Sequence, residues 1–154
     1  MGERGGRVID VSASEVIDAP VDEVFHKMSR VETLPDWLVG CEKAWPLTDD
    51  PYRVGGKVAH LDSVMGQTFE AHYEVVEWIP NERLVFQTVS GGPFEGTSDL
   101  SFADEGAATR IEICIKGELK GALKFGDWAA RKVAQKQLVE SVRNAKRFIE
   151  EARP

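Results

Sequence analysis

The stretch Thr68-Phe-Glu-Ala-His-Tyr-Glu-Val-Val-Glu-Trp-Ile-Pro-Asn-Glu-Arg-Leu-Val-Phe86 decides the architecture. Phe69, Ala71, Tyr73 and Val75 share one parity, while Glu70, His72 and Glu74 share the other. That is the period-two pattern of a strand with one dry and one wet face. Pro80-Asn-Glu82 interrupts the run and a second apolar stretch follows from Arg83, so the segment predicts two antiparallel strands joined by a short turn. Ile111, Ile113 and Ile115 against Arg110, Glu112 and Lys116 repeat the alternation further on.

Working outward, the period stays at two from Cys41 to Lys120, and Gly or Pro clusters such as Gly55-Gly56 and Gly91-Gly92 punctuate it as turns. Strands are expected near 41–47, 56–65, 68–79, 83–90, 94–102 and 109–119. Upstream, residues 7–17 alternate loosely, with Ile9, Val11, Ala13 and Ile17 on one parity, and predict a first strand. Pro20 suits the first turn of a helix, and Asp22 and Glu23 favour the positive end of its dipole. Val21, Val24, Phe25 and Met28 then recur at helical spacing to about residue 29, and a second short helical piece is expected over 31–38. The longest helical pattern closes the chain, from Leu123 or Asp127 to Glu151; Gly126-Asp127 reads either as a cap or as a kink in a longer helix. The resulting order is strand, two short helices, six strands, long helix. It implies an α+β fold, a curved seven-stranded antiparallel sheet around the long C-terminal helix with a space between them. Residues 1–6 are read as a disordered N-terminus and 7–154 as a single domain.

Nineteen Lys and Arg against 26 Asp and Glu give a net charge of −7, which opposes binding to nucleic acid or to an anionic membrane surface. No nucleic-acid partner is expected. No window approaches the roughly 18 apolar residues of a membrane span and the N-terminus has no apolar core, so a cytoplasmic protein is expected. Cys41 and Cys114 belong to no metal or redox spacing and read as reduced thiols; neither a metal nor a cofactor is expected. G-x-S-x-G, H-E-x-x-H and phosphate-cradling glycine loops are missing from the sequence, so no catalytic residue is assigned. A free sheet edge leaves both monomer and homodimer open.

Several segments together resemble the helix-grip superfamily of START lipid-transfer domains, pollen-allergen-like proteins and polyketide cyclase/dehydrases. They are Glu15-Val-Ile-Asp-Ala-Pro-Val-Asp-Glu-Val-Phe25, Leu34-Pro-Asp-Trp37, Val54-Gly-Gly56, the stretch from Tyr73 to Phe86, and the closing helix from Leu138 to Glu150. The resemblance spans nearly the whole chain. It implies an elongated, largely apolar cavity between sheet and long helix, used in the family to hold lipids, sterols, polyketides or similar molecules. A carrier of a hydrophobic small molecule, a polyketide cyclase or dehydratase using the same cavity, and a protein-interaction module without a ligand all remain open.

Projected at about 100° per residue, Trp128, Ala134, Leu138, Val142, Ala145 and Ile149 fall on one arc of the closing helix, and Arg131 and Gln135 fall inside it. A buried guanidinium needs a partner. Arg131 is therefore expected to reach solvent at a cavity mouth, to pair with an acid, or to meet a ligand carbonyl or carboxylate. The expected ligand-contacting set is Trp37, Phe69, Tyr73, Phe86, Ser98, Leu100, Trp128, Arg131, Gln135 and Leu138, with simple core packing as the alternative for the aromatic members. His60 and Asp62 share a strand parity and form an acid–base pair if that parity faces inward. His72, beside Glu70 and Glu74, belongs to the wet face, and His26 lies on the first helix.

Overall fold

Seven antiparallel strands form one sheet in the computed structural model, which describes residues 8–64, 66–120 and 127–153. The chain runs β1 (Val8–Ile17), α1 (Val21–Ser29), a single 3-10 turn (Val31–Thr33), α2 (Leu34–Trp37), β2 (Cys41–Pro46), β3 (Lys57–Val64), β4 (Gln67–Ile79), β5 (Arg83–Ser90), β6 (Phe94–Glu105), β7 (Ala108–Leu119) and α3 (Asp127–Glu151). From β2 onward each strand pairs with the next, and β1 pairs with β7, so β1 and β2 are the two edges. The short helices carry the chain from one edge to the other. This is the α+β helix-grip arrangement. β6 extends to Glu105 rather than Phe102 because Ala103, Asp104 and Glu105 pair with Arg110, Thr109 and Ala108 in a hairpin whose polar end shows no apolar alternation. The expectations for residues 1–7, Met65, 123–126 and the capping side chain of Asp127 lie outside the described residues.

The inward parity fills two regions differently. Around α1 and the C-terminal half of α3 the space is packed: Phe25 meets Trp78 and Phe102 edge-on at 5.5 and 5.1 Å, and Ile17, Leu84, Ala145 and Ile149 are fully buried. Thr109, also fully buried, donates its hydroxyl to the Ala19 carbonyl at 2.8 Å and ties β7 to the β1–α1 corner. On β4 the register shifts between Val75 and Glu77, which leaves Val76 as the extra residue. Val75 and Trp78 therefore both face inward although they are three apart, and the bulge adds to the curl of the sheet.

α3 packs mainly against β1 and bonds to its backbone. Gln135 Nε2 donates to the Ser12 carbonyl at 2.9 Å, Lys146 Nζ donates to the Val16 carbonyl at 2.7 Å, and the Asp18 N–H donates to Glu150 at 2.7 Å. Buried Ser141 accepts from the Val39 N–H at 2.9 Å and donates to the Gln137 carbonyl at 2.8 Å, fastening the segment after α2 to the same helix. On β6 and β7, Gly96 and Gly117 face each other in register. A Cβ on Gly117 would overlap the Glu95 carbonyl and sit 2.8 Å from the Phe94 ring.

Two outcomes follow from these contacts. Gly117→Ala is expected to lower stability by about 1–3 kcal/mol through overpacking of the strand pair, read by urea unfolding; a loss under roughly 0.5 kcal/mol, the size of a neutral surface change, would show that the strands can separate there without strain. The Lys146 ammonium and the Asp18 N–H hold the Glu150 carboxyl below its ordinary value. The stability this adds is present above the ordinary carboxylate range and is lost as pH falls from there through the lowered value of the folded state. Glu150→Gln should therefore lower the neutral plateau of a stability-against-pH curve and flatten its acid limb, and an unaltered acid limb would remove Glu150 from the clamp.

Candidate functional site

Between the concave sheet face and the N-terminal half of α3 lies a cavity of about 290 Å3, close to the lower end of ordinary small-molecule sites. It exists because short side chains stand where long ones would meet. Ala130 and Ala134 come from α3, with Ala71 and Ser98 from the sheet opposite. Beyond them the walls are apolar and aromatic, and the Gly91–Phe94 turn and the Leu34–Gly40 segment complete them. Gly91 and Gly92 are turn glycines at φ +81° and +76°, as expected, and they also contribute to this wall.

Of the expected set, the structure places Trp37, Phe69, Tyr73, Phe86, Ser98, Leu100 and Leu138 around the cavity. Trp128, Arg131 and Gln135 are not among its walls. Trp128 is 64% exposed beneath Lys132, Arg131 is exposed, and Gln135 is exposed while its amide caps the Ser12 carbonyl. Of the alternatives open for Arg131 the structure shows a solvent-exposed side chain off the cavity wall, and the reason is geometric. Inward residues follow i, i+4 steps from Ala130 through Ala134 and Leu138 to Val142, so the buried stripe drifts around the helix axis. Arg131 lies about five turns before Ile149 on one straight line, but at that level the sheet is on a different side. Among the described residues, those that face the cavity from α3 are Ala130, Ala134, Gln137 and Leu138. Gln137 was not expected there.

The polar part of the wall lies on β3 and β4. His60 and Asp62 face inward, as the shared parity allowed, with side chains 11% and 20% exposed. Tyr73 donates its hydroxyl to Asp62 Oδ2 at 3.0 Å, and its ring stacks at a tilt on His60, centroid to centroid 4.5 Å. Burial, then the charge of Asp62 and the hydrogen bond to it, raise the Tyr73 phenol well above its ordinary value, so the group is a neutral donor. Cys41 stands opposite Asp62 on β2; burial and the Asp62 charge push its thiol up to about 12. Both cysteines are free thiols, as expected. The indole N–H of Trp37 is buried with no partner among the described residues. Outside, His72 pairs with Glu70 at 2.8 Å on the wet face, and His26 is exposed. The arrangement offers an apolar chamber with a compact set of proton donors and acceptors on one wall, which can orient a carbonyl or hydroxyl oxygen or move a proton beside it.

Solved structures share this architecture. A START superfamily protein from Mycobacterium smegmatis superposes with a TM-score of 0.80 at 17% identity, covering 94% of this chain and 99% of the other. An aromatase/cyclase from a Streptomyces species gives 0.79 at 14% identity with 94% of each chain covered. A major latex-like protein from Panax ginseng gives 0.71 at 15% identity, covering 92% of this chain and 97% of that one. At such identities the likeness shows the fold. Comparison with curated proteins yields no match. No helix among the described residues is long and apolar enough to cross a membrane. The family described as polyketide cyclase/dehydrase and lipid transport matches residues 8–150, nearly the whole chain, and the protein belongs to that family.

Proposed function

We propose that the protein binds a hydrophobic small molecule, a lipid, polyketide or similar compound, in the chamber between sheet and α3. The observation that carries this reading is the cavity itself, about 290 Å3 of space walled by aromatic and aliphatic side chains. Each methylene of a guest buried there contributes about 0.8 kcal/mol. His60, Asp62 and Tyr73 would then fix which end of the guest meets the polar wall. The family to which the chain belongs includes proteins of lipid transport, which agrees with this use.

A second reading, catalysis of the cyclase or dehydratase kind, is favoured by one further observation. The acid–base groups are held inside the hollow, with Tyr73 positioned on Asp62 at 3.0 Å. A poly-β-keto chain folded against that wall would find a carboxylate, held in place by the Tyr73 hydroxyl, and an imidazole to take a proton. The Streptomyces aromatase/cyclase of the same fold agrees with it by analogy.

Native mass spectrometry and solvent extraction of the purified protein should reveal a co-purifying hydrophobic molecule. Ala134→Trp, which fills the chamber from α3, should weaken its binding roughly tenfold or more, equivalent to about 1.4 kcal/mol, with the circular dichroism unchanged. Arg131→Ala should leave occupancy as it was. A wild-type protein that yields no guest and takes up no fluorescent fatty-acid analogue would end the binding reading. For catalysis, Asp62→Asn should abolish turnover of a poly-β-keto analogue while retaining its binding; full turnover in that variant would exclude the acid–base role.

A further inference from the structure

Cys41, His60 and Asp62 each offer one ligand atom, and these atoms lie within 4.8 Å of one another. Strand geometry brings them together. His60 and Asp62 are two apart on β3 and so share a face, and Cys41 is the direct cross-strand partner of Asp62 on β2. A bulge between Cys41 and Lys43 takes Glu42 out of register at that point. The distance from His60 Nδ1 to Asp62 Oδ1 is 3.6 Å, too long for a hydrogen bond. It is close to the edge of a tetrahedron, about 3.3–3.8 Å, whose centre lies about 2.0–2.3 Å from nitrogen, oxygen and sulfur donors. The second carboxylate oxygen, Oδ2, is already held by the Tyr73 hydroxyl. Such an outer hydrogen bond is what orients a ligating carboxylate and leaves its other oxygen free.

We propose that Cys41, His60 and Asp62 bind a divalent ion of the zinc class through one sulfur, one nitrogen and one oxygen, with the remaining coordination position on the cavity side. The mixed donor set selects borderline metals such as zinc or cobalt over magnesium and calcium, which take oxygen ligands. On binding, Cys41 gives its proton to solvent and exchanges its hydrogen bond to the Lys43 carbonyl for the metal. The charges then balance, because one thiolate and one carboxylate neutralise the dication and the site adds no net charge to an apolar chamber. His60 and Asp62 both line the cavity, so the fourth ligand is water or an oxygen of a guest. Only that last alternative rests on the ligand-binding reading. The spacing, one Cys far upstream of a His-x-Asp pair, matches no short zinc motif, which is why the sequence alone gave no sign of it.

The test is a titration of the chelator-stripped protein with Co2+ and then Zn2+, with no organic compound present, so its outcome is independent of whether the cavity takes a guest. One equivalent of cobalt should develop the d–d absorption of a tetrahedral site together with a thiolate-to-cobalt charge-transfer band, and zinc should displace it. Cys41→Ser should lose the charge-transfer band and bind at least roughly a hundredfold more weakly. Tyr73→Phe should keep the band and weaken binding by about 10–100-fold, the usual effect of removing an outer hydrogen bond. Cys114→Ser, far from the cluster in the sheet, should bind as the wild type does. Circular dichroism checks each variant, and Asp62→Asn, whose side chain is partly exposed, provides the decisive loss of affinity should the Cys41 variant fail to fold. No charge-transfer band in the wild type, or undiminished affinity in Asp62→Asn, overturns the proposal.

Discussion

Backbone carbonyls on the outermost strand determine where the C-terminal helix sits, and the hollow depends on that placement. β1 is an edge strand, and an edge leaves backbone groups without a neighbouring strand to pair them. Gln135 and Lys146 donate to the carbonyls of Ser12 and Val16, and Glu150 accepts from the Asp18 N–H. These three contacts run from the middle of β1 to the residue just after it and draw α3 to the rim of the sheet. A helix lying over the middle of the concave face would fill it. One lying along the edge closes the space as a wall.

The same helix explains why one end of the interior is solid and the other is not. Toward its C-terminus Ala145 and Ile149 are fully buried against Ile17 and the aromatic cluster around Phe25. Toward its N-terminus Ala130 and Ala134 present methyl groups to the aromatic sheet face. Voids left by shortened side chains cost about 24 cal/mol per Å3 in a packed core. Space on this scale therefore forfeits several kcal/mol of packing, and the solid half must supply the stability that the hollow half lacks. A guest that binds only the folded state would return part of it, about 2.7 kcal/mol at a hundredfold excess over its dissociation constant.

The strands and their facing were legible because a half-buried sheet writes itself as parity. Phe69, Ala71, Tyr73 and Val75 fall inside, and His60 and Asp62 follow the same rule on β3. Parity is a local property, and that is also its limit. The bulge at Val76 carries Trp78 inward, against the simple alternation, and no residue type marks it. For α3 the failure has a different cause. The fully buried C-terminal turns define an apolar arc that, extended straight, includes Trp128 and Arg131, whereas the real contact line follows β1 and rotates away from them. Cys41 escaped notice because its neighbourhood is cross-strand. Its placement beside Asp62 requires the β2–β3 register and the bulge before Lys43, and both depend on the whole sheet.

Volume and chemistry are consequently set by separate elements. α3 decides how much room there is, through Ala130, Ala134 and Leu138, while β3 and β4 decide what that room offers, through His60, Asp62 and Tyr73. The two sets do not share a backbone segment, so a side chain can change on the helix without moving the polar cluster, whose geometry is held by ladder pairing and by the Tyr73 to Asp62 hydrogen bond. A rigid sheet is the better place for groups that must keep fixed distances, since ladder pairing with the neighbouring strands fixes its positions. The helix, fastened at the sheet's rim by polar contacts, is the better place for adjusting size. This separation gives a physical reason why a fold of this kind is found in proteins only 14–17% identical to this chain: the scaffold constrains the ladder and the edge clamp, and leaves the lining of the chamber free to vary.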